Sequence, residues 1–224
     1  MSKNIAIDGP AGAGKSTIAR RLAKELGYIY VDTGAMYRAM GLFFTTRGVD
    51  PHNKERICAA AKDASVTLSY ENGEQHVLLN GEDVTGKIRT EEAGKMASAT
   101  SGFMPVREHL TNLQKELAAR ENVVMDGRDI GTCVLPNADL KVYLTASSSV
   151  RGERRYKELV EKGMPADLDV IIADIEKRDE ADMNREVSPL KQAEDAVLLD
   201  SSDLTIDQVV EKMMEMCKEK GLIS

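Results

Sequence analysis

Short apolar runs alternate along the chain with stretches that repeat an apolar residue every three or four positions, the alternation that builds a parallel sheet covered by helices. Ile5, Ala6 and Ile7 predict a buried strand, and Ile18, Leu22 and Leu26 predict a helix that ends at Gly27. Tyr28 to Val31 is β-branched and aromatic and predicts a second strand stopping at Asp32. Strand, helix and strand form a βαβ unit with a right-handed crossover and parallel strands. Further on, Pro105 starts a helix with Val106, Leu110, Leu113 and Leu117 as its apolar stripe. Val123 to Met125, Leu140 to Leu144 and Ala196 to Leu199 predict three more core strands. Thr205 and Gln208 make a capping box for a last helix that turns Ile206, Val209, Val210, Met213 and Cys217 inward.

The rhythm breaks between the second and third core strands. Val66, Leu68 and Tyr70 alternate up to Asn72-Gly73, Val77 and Leu79 follow, and Asn80-Gly81 leads to Asp83-Val84-Thr85. This pattern predicts three short antiparallel strands joined by two-residue turns. Short helices over 54–64 and 91–101 flank them. The picture is one core, residues 1–38 and 101–224, carrying an inserted flap at 39–100 and a lid region at 148–165.

Chemistry enters where strands end. Residues 9 to 16 read Gly-Pro-Ala-Gly-Ala-Gly-Lys-Ser, a complete G-x-x-x-x-G-K-[ST] phosphate loop between the first strand and the first helix. Gly9, Gly12 and Gly14 let the backbone wrap an anion, so that successive N–H groups and the helix N-terminus point at one phosphate chain. Lys15 adds a positive charge, and Ser16 offers a hydroxyl to a magnesium ion. Asp32 to Arg38 and Asp126-Gly127-Arg128-Asp129 also leave the carboxyl ends of predicted strands, the edge where open parallel sheets bind ligands. Arg178, Asp182 and Arg185, spaced four and three apart, share one face of a helix that begins near Asp167 and is stopped by Ser188-Pro189.

Composition narrows the partners. A length of 224 residues, 42% of them hydrophobic, suits one large α/β domain with an insertion. Three scattered cysteines and three scattered histidines offer neither a disulfide framework nor zinc-ligand spacing. A net charge of -7 disfavours nucleic acid as a partner, so an anionic ligand must meet local arginines. With no secretory signal and no apolar stretch of membrane-spanning length, the expected location is the cytoplasm and no membrane partner is expected.

The segments GPAGAGKST (9–17), DTGAMYR (32–38), GEDVTGKIRT (81–90), MDGRDIGT (125–132) and RDEADMNREVSPL (178–190) resemble those of bacterial cytidylate kinases, within the nucleoside monophosphate kinase family. The resemblance implies a P-loop fold: a five-stranded parallel sheet flanked by helices, a monophosphate-binding flap and a short lid. It implies transfer of the γ-phosphate of ATP to CMP or dCMP, with magnesium, in pyrimidine nucleotide metabolism, by a protein expected to be monomeric. ATP would lie on Gly9, Pro10, Ala11, Gly12, Ala13, Gly14, Lys15, Ser16 and Thr17, with Arg154 or Arg155 closing from the lid. CMP would meet Thr33, Gly34, Tyr37 and Arg38, then Ser98, Arg107, Arg128 and Asp129, then Arg178, Asp182 and Arg185. Lys15, Arg128 and Arg185 would clamp the transferring phosphoryl group, since this reaction asks for positioning and positive charge rather than a covalent nucleophile. Asp129 and Arg107, with Ser98, complement the amino donor and ring acceptors of cytosine. Asp32 and Asp126 would hold magnesium-bound water.

Other readings share parts of this pattern. A GTP switch or ATP-driven machine could use the phosphate loop, though a guanine-reading N-K-x-D segment is missing. A kinase of the same architecture could act on UMP, AMP or shikimate, or accept both UMP and CMP. A non-catalytic nucleotide-binding module is the remaining class.

Overall fold

The five apolar runs pair into a single parallel sheet. The computed structural model describes residues 2–223. In chain order they form β1 (Asn4–Asp8), α1 (Lys15–Leu26), β2 (Ile29–Asp32), α2 (Thr33–Thr46) and α3 (Lys54–Ala61). Next come β3 (Val66–Glu71), β4 (Glu74–Leu79), β5 (Glu82–Asp83), α4 (Glu91–Thr100), α5 (Met104–Arg120) and β6 (Val123–Gly127). After a single π-helical turn at Ile130–Val134, the chain continues as β7 (Leu140–Thr145), α6 (Ser148–Glu161), α7 (Leu168–Asn184), β8 (Val197–Asp200) and α8 (Ile206–Glu219). Strand order is β2-β6-β1-β7-β8, all parallel, so β1 and β2 are not neighbours and β6 lies between them.

The period-two alternation of the strands divides the interior into two layers. Ala6, Val31, Val123 and Met125 face α2 and α5, and Ile5, Ile7, Val124 and Val142 face α1 and α8. On α8 the capping box is formed as expected, and Val209, Val210, Met213 and Cys217 are buried, each burial stabilising by about 1.5–3 kcal/mol. Ile206 is the exception: it is 50% exposed, a correction to the inward stripe. It occupies the first helical position, immediately after the Thr205 cap, where the chain is still entering the helix.

The inserted sheet has the order β3-β4-β5, and its two turns place Asn72, Gly73, Asn80 and Gly81 at positive φ, as type I′ hairpins demand. Its third strand is only Glu82–Asp83, because Val84 turns inward to join the core and Lys87 and Ile88 donate back to the Val84 carbonyl. Val66, Val77, Val84 and Ile88 share one apolar cluster with Phe43, Phe44 and Leu110. The side chain of Gln75 on β4 also pairs with both backbone groups of Asp32: Asp32 N–H donates to Oε1 at 2.9 Å and Nε2 donates to Asp32 O at 3.2 Å. The insertion is therefore seated on the edge strand β2. Position 38, the expected border of the core, falls inside α2.

Two helices differ from the sequence reading. α2 was not expected as a helix, because it buries Thr33, Ala35, Met36, Ala39, Met40, Gly41, Phe43 and Phe44 and shows no polar face to read. α4 lies against it so closely that a Cβ at Gly41 would stand 2.5 Å from the carbonyl oxygen of Ala93. α7 ends at Asn184 rather than at Ser188-Pro189. Leu190 N–H donates to the Asp182 carbonyl at 2.8 Å, which replaces the next helical bond, so Arg185 caps the helix in extended conformation instead of continuing its face. Among the described residues no helix is long and apolar enough to cross a membrane.

Candidate active site

The carboxyl edge of the sheet gathers the functional residues. The loop from Gly9 to Gly14 carries the chain from β1 into α1, whose cap, Gly14, supplies no side-chain bond to the first helical turn. Only glycine fits at position 9, where φ is +147° and a Cβ would sit 2.0 Å from Leu144 O on β7. Lys15 is buried and folded back, its Nζ donating to Pro10 O at 2.7 Å. Burial and the nearby Arg128 push its pKa down, while Asp126, Asp8 and Asp182 oppose that shift. Ser16 Oγ donates to Asp126 Oδ2 at 2.9 Å, and Tyr30 OH donates to Asp126 Oδ1 at 2.9 Å. Asp126 pairs in register with Asp32 across β6 and β2, and burial followed by the charge of Asp32 raises its pKa.

The donor set suits magnesium. A hydroxyl and carboxylate oxygens are hard ligands, and a magnesium ion takes most of its shell from phosphates and water. Among the described residues no cluster of three or more His, Cys, Asp or Glu side chains could enclose a metal by itself. Ser16 and Asp126 adjoin the loop. Asp32 is used differently: its Oδ1 accepts from Ala35 N–H at 2.9 Å to cap α2, and its Oδ2 lies 3.8 Å from Arg89.

Five guanidinium groups from distant segments converge, and one of them, Arg128, acts on Lys15 of the loop. Arg107 is buried on α5, paired with Asp129, donates to Ser101 O at 3.1 Å, and lies 5.7 Å from the Tyr37 ring centroid. Arg185 stands 3.4 Å from the other oxygen of Asp129. Arg128 Nε donates to Asp182 Oδ2 at 2.9 Å. Arg178 has a buried Nε with no hydrogen-bond partner, and its pKa is lowered by burial and then by Arg128. Arg38 lies across Gly94 of α4, where a Cβ would be 2.7 Å from its Nη1, and donates to Thr90 O at 3.2 Å. Burial lowers its pKa too, with Arg89, Arg155 and Arg128 adding to the shift. Tyr37 completes the wall, its hydroxyl pushed up to about 12 by burial. Thr33 Oγ1 donates to Asp126 O at 2.7 Å, and Gly34 follows it at the exposed start of α2.

A cleft of about 460 Å³ opens beside this cluster, lined by Ser98, Ser101, Phe103, Asp182 and Arg185 among others. The two lid arginines diverge. Arg154 reaches the loop side, its Nη1 4.0 Å from where a Cβ on Gly14 would be, and donates to Ser201 O at 2.8 Å. Arg155 stays exposed and pairs with Glu158 at 2.8 Å.

A family model described as cytidylate kinase matches residues 5–219. The chain belongs to the cytidylate kinase family. Proteins named cytidylate kinase from Caldicellulosiruptor bescii and Lactobacillus johnsonii are 50% and 48% identical to it, over 95% and 96% of this chain and 94% of each relative. Among solved structures, a shikimate kinase from Bacteroides thetaiotaomicron superposes with a TM-score of 0.51 at 16% identity, covering 96% of this chain and 98% of that one. An uncharacterised protein from Eubacterium ventriosum superposes at 0.54 and 12% identity, covering 98% and 99%. These two likenesses concern the fold alone.

Three buried residues of this cytidylate kinase family member are given no role by the sequence, although Arg151 stands in one arginine cluster with Arg154 and Arg155. Asp8, at the end of β1, accepts from Ile130 N–H at 2.8 Å and Gly131 N–H at 2.7 Å, and thereby holds the turn that presents Arg128 and Asp129. Burial raises its pKa to about 6. Its cue was the one that flagged Asp32 and Asp126, an aspartate closing an apolar strand. Arg151 and Asp179 pair with each other at 2.6 Å, and neither stands in a recognisable spacing with the other along the chain.

Proposed function

We propose that the protein transfers the γ-phosphoryl group of ATP to CMP, releasing ADP and CDP, and that dCMP is a second acceptor. The convergence of Arg38, Arg107, Arg128, Arg178 and Arg185 beside the phosphate loop carries the reading. Phosphoryl transfer needs two anions held end to end with positive charge around the moving group, and these five cations, only partly neutralised by Asp129 and Asp182, meet that need. Membership of the cytidylate kinase family supports CMP as the acceptor.

The roles follow from chemistry. Residues Gly9 to Thr17 receive the ATP phosphates on backbone N–H groups, and Lys15 turns from Pro10 O to the incoming anion, which restores the charge that burial disfavours. Magnesium would be held by Ser16, with Asp126 and Asp32 reached through water, and would neutralise charge between the phosphate groups. Arg38, Arg128 and Arg185 grip the acceptor phosphate. Asp129 accepts from the cytosine amino group while Arg107 donates to the ring acceptors, with Ser98 beside them, and uracil would set a carbonyl against the Asp129 carboxylate. Arg178 and Asp182 face the sugar, and Thr33, Gly34 and Tyr37 line the acceptor wall. Arg154 closes on the donor side with Arg155 next to it. The flap at 39–100 and the lid at 148–165 are the parts that close over the two nucleotides.

The test is ADP release from ATP and magnesium with CMP, dCMP, UMP and AMP offered in parallel. Turnover with CMP well above UMP and AMP is expected. Equal turnover of UMP or AMP would overturn the base assignment, and ATP binding with no acceptor-dependent ADP would leave a non-catalytic module.

A further inference from the structure

Arg151 and Asp179 form a clamp on the phosphate loop, outside the residues assigned above. Arg151 sits on α6 and Asp179 on α7, and both are buried. Their ion pair is 2.6 Å long. Together they hold both polar groups of one residue in the loop: Arg151 Nη1 donates to Ala11 O at 2.8 Å, and Ala11 N–H donates to Asp179 Oδ1 at 3.3 Å. Arg151 Nε donates to Ala146 O at 2.8 Å, which ties the same guanidinium to the end of β7. The arginine also fills the space above Gly12, where a Cβ would lie 3.4 Å from Arg151 Cβ. A surface arginine and aspartate would not be expected to select one loop residue in this way. A planar guanidinium with donors at fixed angles can hold a carboxylate and a carbonyl at once, and burial makes such a network costly to leave half-formed.

We propose that Arg151 and Asp179 are positioning residues for the ATP half of the reaction, fixing the Ala11 peptide so that the loop is shaped before ATP arrives. The inference rests on the reading that ATP occupies this loop. α7 then serves both substrates from neighbouring positions: Asp179 holds the donor loop, while Asp182, two residues before the helix end, holds Arg128 on the acceptor side. The pair offers its groups to the protein backbone and not to the nucleotide, so its loss should weaken donor binding more than acceptor binding.

The experiment is a titration of the full-length protein with a fluorescent ATP analogue and, separately, with CMP, comparing wild type with Arg151→Met, Arg151→Lys, Asp179→Asn and the Arg151→Met/Asp179→Asn double variant. Thermal melts without nucleotide check that each variant is folded, and Asp179→Asn, which keeps shape and an acceptor oxygen, is the milder probe. Loss of a charged hydrogen bond that shapes the loop should raise the Kd for the ATP analogue about tenfold or more in Arg151→Met, with the Kd for CMP within about twofold. Arg151→Lys should fall between, and the double variant should lose less than the product of the single losses, because one network is being removed twice. Folded variants with unchanged affinity for the ATP analogue, or with equal losses for both ligands, would overturn the clamp alone. A wild-type protein that binds no ATP analogue would overturn the functional reading and the clamp with it.

Discussion

Asp129 carries two demands at once. Its carboxylate neutralises buried Arg107 and meets Arg185 at 3.4 Å, and in the proposed complex it also receives the cytosine amino group. Asp129→Asn keeps the shape but places an amide that can donate to a uracil carbonyl. The ratio of kcat/KM for CMP over UMP should fall about ten- to a hundredfold, and a ratio that does not move would mean the base is read elsewhere. Asp8 makes a different prediction, about pH. Its folded pKa, near 6, lies above the ordinary 3.8, so between those values the folded state keeps a proton that the unfolded state has released. Folding then takes up a proton, and the contribution of Asp8 to stability falls as pH rises from about 4 to 6 and is constant above. The stability difference between wild type and Asp8→Asn, from urea unfolding at several pH values, should shrink over that window by at most about 3 kcal/mol, at about 1.4 kcal/mol per pH unit. At this scale the sequence was informative where a charged residue ended an apolar run, which marked Asp32, Asp126 and Arg128. It was silent where the partner lay far away in the chain, as with Arg151 and Asp179, because a side-chain pair across 28 positions leaves no spacing to read.

Elements with two unlike faces were legible. α1, α5 and α8 repeat an apolar residue every three or four positions along one face, and the hairpins of the insertion announced themselves through Asn-Gly. α2 did not, since it is wedged between the sheet and α4 and is buried on most sides, leaving no periodicity. The same wedge yields a test. Gly41→Ala would place a methyl group 2.5 Å from Ala93 O, and backbone cannot move aside cheaply. A loss of about 1–3 kcal/mol in denaturant unfolding is expected, with Gly48→Ala unsuitable as a control because its φ is +59°. Glu at the exposed Ile206 should change stability by no more than about 0.5 kcal/mol and serves as the control on α8.

For the molecule as a whole, net charge and local charge have opposite signs. The chain carries -7 overall, yet five arginines gather at its site; burial first holds the pKa of Arg38 and Arg178 down, and neighbouring cations, Arg89, Arg155 and Arg128 for Arg38 and Arg128 for Arg178, repel them further, against the pull of Asp32 and Asp182. A bound phosphate relieves that repulsion. CMP at a hundred times its Kd should therefore raise Tm by about 5–10 °C, from about 2.7 kcal/mol of linkage at 2–4 °C per kcal/mol for a chain of this size. Cytidine at the same concentration, lacking the phosphate, should shift Tm far less. An equal shift would place the binding energy on the base instead of the arginines.

Strand order has a consequence for synthesis. Because β6 separates β1 from β2, neither of the first two strands has its mate until Val123 to Gly127 leaves the ribosome. A nascent chain of the first 120 residues would expose two unpaired apolar strands and could close no sheet between them, so protease resistance should arise late and in one step, once the missing middle strand has emerged.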